Sequence, residues 1–359
     1  MPLRAIDPRR DAEFFEWFDI LDRSESLREM PGEGGWQPDE WRARALPADP
    51  TVIYALATFD VDNVPSAAVA FRLSDDENRN VVELHLHVDP SRRRKGVGTA
   101  ALTACEQMVL QLGRTSITAV AREGRDEIRR GPSRHFAPER GYRIGDDIER
   151  RDIDWPLNPD VVRSCRSQWA SFAAGYHFEQ WVGSATDRRA HQLADLIGRM
   201  PAETPHADFS LVTEHWDIAR FRQHEATIDE MGRDVMTTIA IESRTGAVVG
   251  YTQLTVSRID THTAYQWDTF VTAEHRGHRL GGLMKLANYD VAATRRLALR
   301  RIRTENSVLN QPMIAVNDAL GAYVSGSTAL WVRDLVASRG AAPMRVTGAW
   351  DHLATSSEF

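Results

Sequence analysis

The sequence predicts an α/β protein (α+β in strand arrangement) of two related domains, each with a mixed, mostly antiparallel sheet flanked by helices. The chain has 359 residues, which suits two domains of about 150 to 200 residues better than one core. Two segments, 83–98 and 266–281, share a pattern of strand, basic glycine loop and helix at a spacing of 183 residues. A period this long indicates a duplicated domain, because solenoid repeats are only about 20 to 50 residues long.

The composition is that of a water-soluble globular protein, with 42% hydrophobic and 26% charged residues. The N-terminal sequence has no apolar stretch of the kind that a secretory signal requires, so we expect a cytoplasmic protein with no membrane partner. A net charge of −7 argues against nucleic acid as a partner. The two cysteines, Cys105 and Cys165, have no metal-like spacing, and we expect neither a disulfide nor a metal site.

Each half begins with two segments that have the apolar pattern of strands. They are 52–59 and 67–73 in the first half and 236–241 and 248–256 in the second. The sequence TGAVVG at 245–250 is typical of a hairpin turn. After each basic loop, apolar residues recur at helical spacing without proline, which predicts helices over 99–111 and 283–294.

The boundary between the halves is predicted from the stretch DWPLNPD at 154–160, whose two prolines interrupt regular structure. We assign a first domain at 1–158, a connection at 159–176, a second domain at 177–336 and a C-terminal tail at 337–359.

The loop of the first half has the chemistry of an anion site. Backbone N–H groups at a helix start have no intrahelical partner and lie at the positive end of the helix dipole. Gly96 and Gly98 permit close approach of a phosphate to the backbone, and Arg93 and Lys95 add positive charge. The sequence therefore predicts that a pyrophosphate binds at this loop.

The run RRKGVG, following a strand that ends in HVDP, resembles the Arg/Gln-x-x-Gly-x-Gly/Ala signature of GNAT N-acetyltransferases. The strand RRIRTEN, the helix NQPMIAVNDAL and the turn at Gly321 resemble the rest of such a domain, so the resemblance covers most of the chain. The tandem layout is similar to that of actinobacterial double-GNAT proteins such as mycothiol synthase. The resemblance implies an acetyltransferase that uses acetyl-CoA, or another acyl-CoA, and a small-molecule amine acceptor. It also suggests a monomer that forms an internal pseudo-dimer.

In the GNAT family this loop binds the pyrophosphate of acetyl-CoA, and the pantetheine runs along the splayed end of the preceding strand. By position, the resemblance implies cofactor contacts from Val88, Arg93, Lys95, Gly96 and Gly98 in the first half and from Val271, Arg276, Gly277, Gly281 and Asn310 in the second. A helix cap explains Asn310 equally well. Arg279 stands where the first half has Gly96, so we expect tighter acetyl-CoA binding in the first half.

Candidate catalytic residues lie on the strands before the loops. Strand alternation places Glu83, His85 and His87 on one face. Acyl transfer to an amine needs a base, for which the candidates are Glu83 and His87 in the first half and Asp268 in the second. A solvated strand face explains the polar residues of the first half equally well.

The family often places a tyrosine, as general acid, four residues before the glycine that follows the closing helix. Ala137 and Asn317 occupy these positions, so the acid is absent, replaced, or supplied by a residue such as Tyr323. The departure leaves a second function open, namely a non-catalytic acyl-CoA-binding or sensing protein.

Overall fold

The computed structural model describes residues 3–26, 36–46, 52–74, 77–203, 215–295 and 298–335. The predicted tail, 337–359, lies outside these residues. The chain divides into two compact units, of which unit 1 comprises residues 1–145 and 329–359 and unit 2 comprises residues 146–328. No helix in the described part of the chain is long and apolar enough to cross a membrane.

Unit 1 is a mixed sheet flanked by helices. Its elements are β1 (Leu3–Ile6), α1 (Asp11–Ser26), α2 (Pro38–Ala45), β2 (Val52–Val61), β3 (Val64–Ser74), β4 (Val81–Val88), α3 (Val97–Gln111), β5 (Ser116–Glu123), the short helix α4 (Ser133–Phe136) and the beginning of β6 (Arg143–Asp154). The strands β1 to β4 pair antiparallel in chain order, and β5 pairs parallel to β4.

Unit 2 repeats this arrangement. After β6 its elements are α5 (Pro159–Ala170), β7 (Tyr176–Val182), α6 (Asp187–Glu203), α7 (Ile218–Glu230), β8 (Arg233–Glu242), β9 (Val248–Ser257), β10 (Thr263–Val271), α8 (Leu280–Thr294), β11 (Arg301–Ser307), α9 (Gln311–Ala319) and β12 (Tyr323–Asp334). The strands β7 to β10 pair antiparallel in chain order, and β11 pairs parallel to β10. The two units therefore share the order predicted from the repeat.

The apolar faces of the first helices explain how each unit forms its core. In α1 the buried residues Phe14, Trp17, Phe18 and Leu21 recur three or four positions apart, which places them on one face. They pack with apolar residues of β2 and β3. The corresponding helix α6 buries Ala190, Leu193, Ala194 and Ile197 at the same spacing, against residues of β8, β9 and β10.

The local predictions agree with the observed elements. The strands β2, β3, β8 and β9 cover the four predicted segments, and α3 and α8 cover the two predicted helices. The strands β8 and β9 form an antiparallel hairpin, and Gly246 in its turn has a left-handed φ of 73°. Each of these elements follows from a pattern within one short stretch of sequence.

The last strands do not follow the chain order of the repeat. The place beside β5 in unit 1 is taken by residues 329–334 of β12, from the other end of the chain. In unit 2, β6 pairs antiparallel with β11. Leu335 N–H donates to the Thr115 carbonyl at 2.7 Å, and Trp331 joins the unit 1 core. The observed division therefore differs from the one predicted at 158, because strand pairing and not the proline stretch determines it.

Candidate functional site

The two basic loops have the same construction. In unit 1, β4 ends at Val88 and a single 3₁₀ turn, Pro90–Arg92, leads into α3. In unit 2, β10 ends at Val271 and the 3₁₀ turn Ala273–His275 leads into α8. The spacing of 183 residues holds for both the strand ends and the turns. Each loop therefore presents a helix start beside the end of a strand.

Each loop contains two residues in the left-handed conformation. Unit 1 has Arg94 and Gly96, with φ of 61° and 81°, and unit 2 has Gly277 and Arg279, with φ of 85° and 58°. A left-handed residue other than glycine costs roughly 1 to 2 kcal/mol, and each loop contains one arginine and one glycine at exchanged positions. Arg279 therefore does not restrict the second loop as the sequence suggested, because it adopts the conformation that Gly96 adopts in the first.

The first backbone N–H groups of α3 and α8 point out of the N-terminal end of each helix. The first intrahelical bonds run from Ala100 N–H to the Gly96 carbonyl at 3.1 Å and from Leu283 N–H to the Arg279 carbonyl at 3.2 Å. The N–H groups before these bonds form the donor cluster of a helix N-terminus. An added Cβ on Gly96 would meet no atom within 4 Å. The space beside Gly96 is thus open.

The final glycine of each loop lies in a more crowded place. A Cβ on Gly98 would lie 3.4 Å from Phe136 and 3.5 Å from Val88, and a Cβ on Gly281 would lie 3.3 Å from Thr269. A larger side chain at either glycine has to enter the space beside the strand end. The glycines and the donor cluster together fit the pyrophosphate and pantetheine of an acyl-CoA.

The predicted cofactor arginines hold the loop to the strand. Arg93 donates from Nε to the Val88 carbonyl at 3.2 Å and from Nη2 to Ser24 Oγ at 2.8 Å. Arg276 makes the corresponding bond to the Val271 carbonyl at 3.1 Å. These bonds give both arginines a structural role in fixing the loop, and their contact with a pyrophosphate stays a prediction.

Lys95 is an exposed cation of the first loop. Its Nζ donates to the Ser91 carbonyl at 3.0 Å. At the corresponding position His278 approaches the Phe172 carbonyl, with 2.9 Å between Nδ1 and the oxygen. The second loop thus has an imidazole where the first has an ammonium group.

Both parallel strand pairs stop after four residue pairs. In unit 1 the last pair is Leu84 with Ala119, and in unit 2 it is Gln266 with Thr304. Beyond these points the strand ends leave backbone groups outside the ladder. The ends of β4 and β10, with Val88 and Val271, are therefore placed where the family resemblance locates the pantetheine.

A bulge in β10 changes the residue correspondence that the ungapped alignment of the two halves gives for β4 and β10. In unit 1, Glu83 lies opposite Arg72. The residue 183 positions after Arg72 is Thr255, and it lies opposite Tyr265 and not opposite Gln266. The bulge after Gln266 inserts one residue, so the match holds only from the bulge onward. Gln266 is therefore not the counterpart of Glu83.

Asp268 lies in this bulge. Its carboxylate accepts a hydrogen bond from the Tyr251 hydroxyl at 3.1 Å, and its carbonyl accepts one from Thr252 Oγ1 at 3.1 Å. Burial raises the pKa of Asp268, and the bond from Tyr251 offsets this only in part. A carboxyl group whose pKa is raised toward neutrality is better suited to accept a proton during catalysis.

Glu83 has the opposite electrostatic environment. Its Oε1 lies 2.9 Å from His85 Nε2, and its Oε2 lies 3.7 Å from Arg72. Burial opposes ionisation, but the hydrogen bond from His85 and the charges of His85 and Arg72 lower the pKa of Glu83 to about 2. Such a carboxylate is a weak base, and its direct effect is to hold the His85 ring.

His87 lies in a charged cluster on the same face of unit 1. Its charge acts on Glu25 of α1, whose carboxylate forms an ion pair with Arg122 at 2.9 Å. Burial raises the pKa of Glu25, and Arg122, His87 and His85 together bring it below its ordinary value. The ring of Trp41 packs edge-on against His85, with 5.4 Å between centroids. The polar face of β4 is thus a partnered cluster and not a solvated strand face.

Two of the expected polar residues of unit 2 have structural partners. The Asn310 side chain caps α9 by accepting from the Met313 N–H at 3.3 Å. Tyr323 donates to Asp154 at 3.0 Å, and burial together with Asp154 raises the pKa of its hydroxyl. The cap explains Asn310, and its contact with the cofactor stays a prediction.

Sequence reasoning missed Lys285. It is buried in α8, and its Nζ donates to Asn317 Oδ1 at 2.6 Å. The available signal was its position one helical turn after Gly281, the last glycine of the second loop. In the described part of the chain, no group of three or more His, Cys, Asp or Glu side chains is arranged to hold a metal.

Comparison with known proteins places this geometry among acyltransferase folds. Residues 14–130 match the sequence model of the Acetyltransferase (GNAT) family. No curated protein sequence matches the chain. A tandem GNAT protein from the clavulanic acid biosynthesis pathway is similar in structure, with 23% identity, a TM-score of 0.74, and coverage of 94% of this chain and 99% of that one.

A second solved structure, a GCN5-related N-acetyltransferase from Sphaerobacter thermophilus, has 15% identity and a TM-score of 0.61, and covers 92% of this chain and 95% of its own. Both likenesses extend over the two units. They support the tandem fold and do not specifically support a resemblance to mycothiol synthase. The chain therefore has the fold of a tandem GNAT protein, and its segment 14–130 carries the sequence pattern of the acetyltransferase (GNAT) family.

Proposed function

We propose that this protein is an acetyl-CoA-dependent N-acetyltransferase that acts on an amine of a small-molecule acceptor, and that unit 2 performs the chemistry. The observation that carries the assignment to unit 2 is the position of Asp268. The bulge places its carboxyl group between the last parallel strand pair and the loop, and burial raises its pKa. Glu83, at the corresponding strand of unit 1, is held as a carboxylate of low pKa.

Different residues of unit 2 perform the separate steps of acyl transfer. The N–H groups at the start of α8 and the loop around Gly277 hold the pyrophosphate. Bound acetyl-CoA supplies the activated acyl group. Asp268 accepts the proton that the acceptor amine loses as its nitrogen bonds to the acyl carbon. Tyr251 fixes the Asp268 carboxylate by its hydrogen bond. Unit 1 has a loop of the same construction and is a second acyl-CoA site.

The experiment that tests this proposal combines equilibrium binding with an assay of thioester cleavage over a panel of small amines. We expect binding of acetyl-CoA and release of free CoA thiol that depends on one class of amine. Binding without amine-dependent cleavage would instead support the alternative, a non-catalytic acyl-CoA-binding or sensing protein. That alternative is favoured in unit 1 by Ala137, which is buried in the core where a family member has a tyrosine.

A matched pair of variants tests the two loops. We expect Gly98→Asp to remove most of the acetyl-CoA binding, and Gly281→Asp to leave most of it. Both changes place a carboxylate beside the phosphate and crowd the strand end. The first loop contributes more permanent charge, because Arg92 and Lys95 stand where the second has histidines.

Isothermal titration calorimetry with acetyl-CoA measures both variants. Gly232→Asp is the matched control, since it adds the same charge at a glycine outside both loops. Its φ of 67° makes that change strained, so its thermal midpoint is recorded as well. Loss of most of the binding in Gly281→Asp and not in Gly98→Asp would reverse the ranking of the loops.

A further inference from the structure

Three polar side chains form a buried chain of hydrogen bonds in unit 2. Lys285 of α8 donates from Nζ to Asn317 Oδ1 of α9 at 2.6 Å. Asn317 Nδ2 donates in turn to Asn306 Oδ1 of β11 at 2.6 Å. Lys285 is 1% exposed and Asn317 is fully buried. We call Lys285, Asn317 and Asn306 the lysine triad.

The fold does not require polar residues at these positions, because unit 1 has none there. Lys285 and Leu102 each follow the last loop glycine by four residues. Asn317 and Ala137 each precede a left-handed glycine by four residues and accept a bond from the N–H five residues onward. The register of the parallel pairs matches Asn306 with Ala121. The unit 1 residues Leu102, Ala137 and Ala121 all belong to or pack against the apolar core.

The lysine is buried without a compensating charge. In the residues that the structure describes, Asn317 is the partner of Lys285 and no carboxylate forms an ion pair with it. Burial alone lowers the pKa of Lys285 to about 7. Burial of an amine beside a neutral amide is unfavourable for folding. A residue that opposes folding, at a position where the sister unit uses leucine, points to a role in binding or chemistry.

The position of the triad indicates which chemistry it serves. The β10–β11 pairing ends at Thr304, and Asn306 lies two residues beyond that end. Lys285 lies one turn after Gly281 on α8. A Cβ on Gly281 would lie 3.8 Å from the side chain of Met313 in α9, so this part of α8 faces α9. The triad therefore lies between the anion loop and the end of strand pairing. Asp268 lies toward Tyr251, which packs with the residues of α6, whereas the triad lies on the side of α8.

We propose that Lys285 is a catalytic residue of unit 2 that donates a proton from Nζ to the sulfur of CoA. This inference rests on the proposed acyl transfer. As the acceptor nitrogen bonds to the acyl carbon, the carbon–sulfur bond breaks and its electron pair stays on sulfur, where the Lys285 proton is received. Asp268 takes the proton lost by the acceptor nitrogen. Solvent then returns a proton to Lys285 and removes one from Asp268, so the protons balance. Asn317 and Asn306 are positioning residues.

A comparison of two ligands measures the contact without any turnover. The parent is the full chain with Gly98→Asp, which confines binding to unit 2, and the ligands are CoA and desulfo-CoA, which lacks the sulfur. We expect the parent to prefer CoA by about tenfold, the usual scale of a charge-assisted hydrogen bond. Lys285→Met should reduce the preference to less than about twofold and leave desulfo-CoA affinity unchanged. Leu102→Met in the same parent is the matched control and should keep the preference.

Thermal unfolding separates this role from a structural one. Lys285→Met removes a buried amine without a counter-charge, so we expect its melting temperature to be equal to or above that of the parent. An unchanged preference for CoA in Lys285→Met overturns the inference, whatever its melting temperature. Acetyl-CoA incubation followed by mass spectrometry gives a second overturning result, namely stable acetylation of Lys285, which would make it an acyl acceptor. If the parent binds neither ligand but the chain without Gly98→Asp binds both, acyl-CoA binding stands and its assignment to unit 2 fails together with the inference.

Discussion

Replacement of Asp268 by asparagine is expected to lower kcat by about 10² to 10⁴-fold, the range for loss of a general base. The affinity for acetyl-CoA should change little, because the carboxylate acts on the acceptor amine and not on the nucleotide. Asparagine preserves the size of the side chain and its bond with Tyr251. Steady-state kinetics with the best amine of the panel and calorimetry with acetyl-CoA give the two quantities.

The pH profile provides a further readout of the same variant. A base acts in its deprotonated form, so kcat/KM should rise as Asp268 loses its proton. Because the pKa of Asp268 is raised by burial, this rise should occur above the ordinary range of a carboxyl group. The rise should be absent in Asp268→Asn. A wild-type profile that is flat in this range would remove Asp268 from the mechanism.

Glu83→Gln is the matched control in unit 1. From the sequence alone, Glu83 was a leading candidate for the base. If Glu83 were the base, Glu83→Gln would lower turnover more than the affinity for acetyl-CoA. With a pKa of about 2 the carboxylate is a weak base at neutral pH, and we expect a reduction in kcat below about tenfold. A larger loss in Glu83→Gln than in Asp268→Asn would place the chemistry in unit 1, with His85 or His87 beside Glu83.

The features that sequence predicted are those coded within a short stretch. Apolar periodicity indicated α3 and α8, and the strand pattern indicated β8 and β9. The repeat at 183 residues located both loops, because a loop and its adjoining strand and helix form one continuous segment. Side-chain alternation also placed Glu83, His85 and His87 on one face, where Glu83 contacts His85 and both histidines act on the pKa of Glu25.

The features that sequence missed depend on contacts between distant segments. The bulge before Asp268 is one inserted residue, and an ungapped comparison of two strands cannot locate it. The lysine triad joins side chains from three elements, and each of them looks ordinary within its own element. The pairing of β6 in unit 2 and the place of β12 beside β5 in unit 1 depend on contacts between segments that are far apart in the sequence. The pKa shifts of Glu83 and Asp268 depend on burial and neighbours that only the fold determines.

Replacement of Trp331 by alanine is the second change with a large expected effect. It tests whether the end of β12 stabilises unit 1. Trp331 is 4% exposed and packs in the core of unit 1, although it lies far from the rest of unit 1 in the sequence. Removal of a buried tryptophan side chain costs about 3 to 5 kcal/mol. We expect a loss of this size in the free energy of unfolding of unit 1, together with weaker acetyl-CoA binding at its loop.

Denaturant unfolding with hydrogen exchange read by mass spectrometry measures this loss and locates it. Amides of β2, β3 and β4 should exchange faster in Trp331→Ala, whereas those of β8 and β9 should keep their wild-type rates. Tyr323→Ala is the control from the other part of β12, where the side chain is 37% exposed, and it should cost no more than about 1 kcal/mol. Faster hydrogen exchange confined to β8 and β9 would contradict the assignment of the end of β12 to unit 1, because it would show that this segment stabilises unit 2.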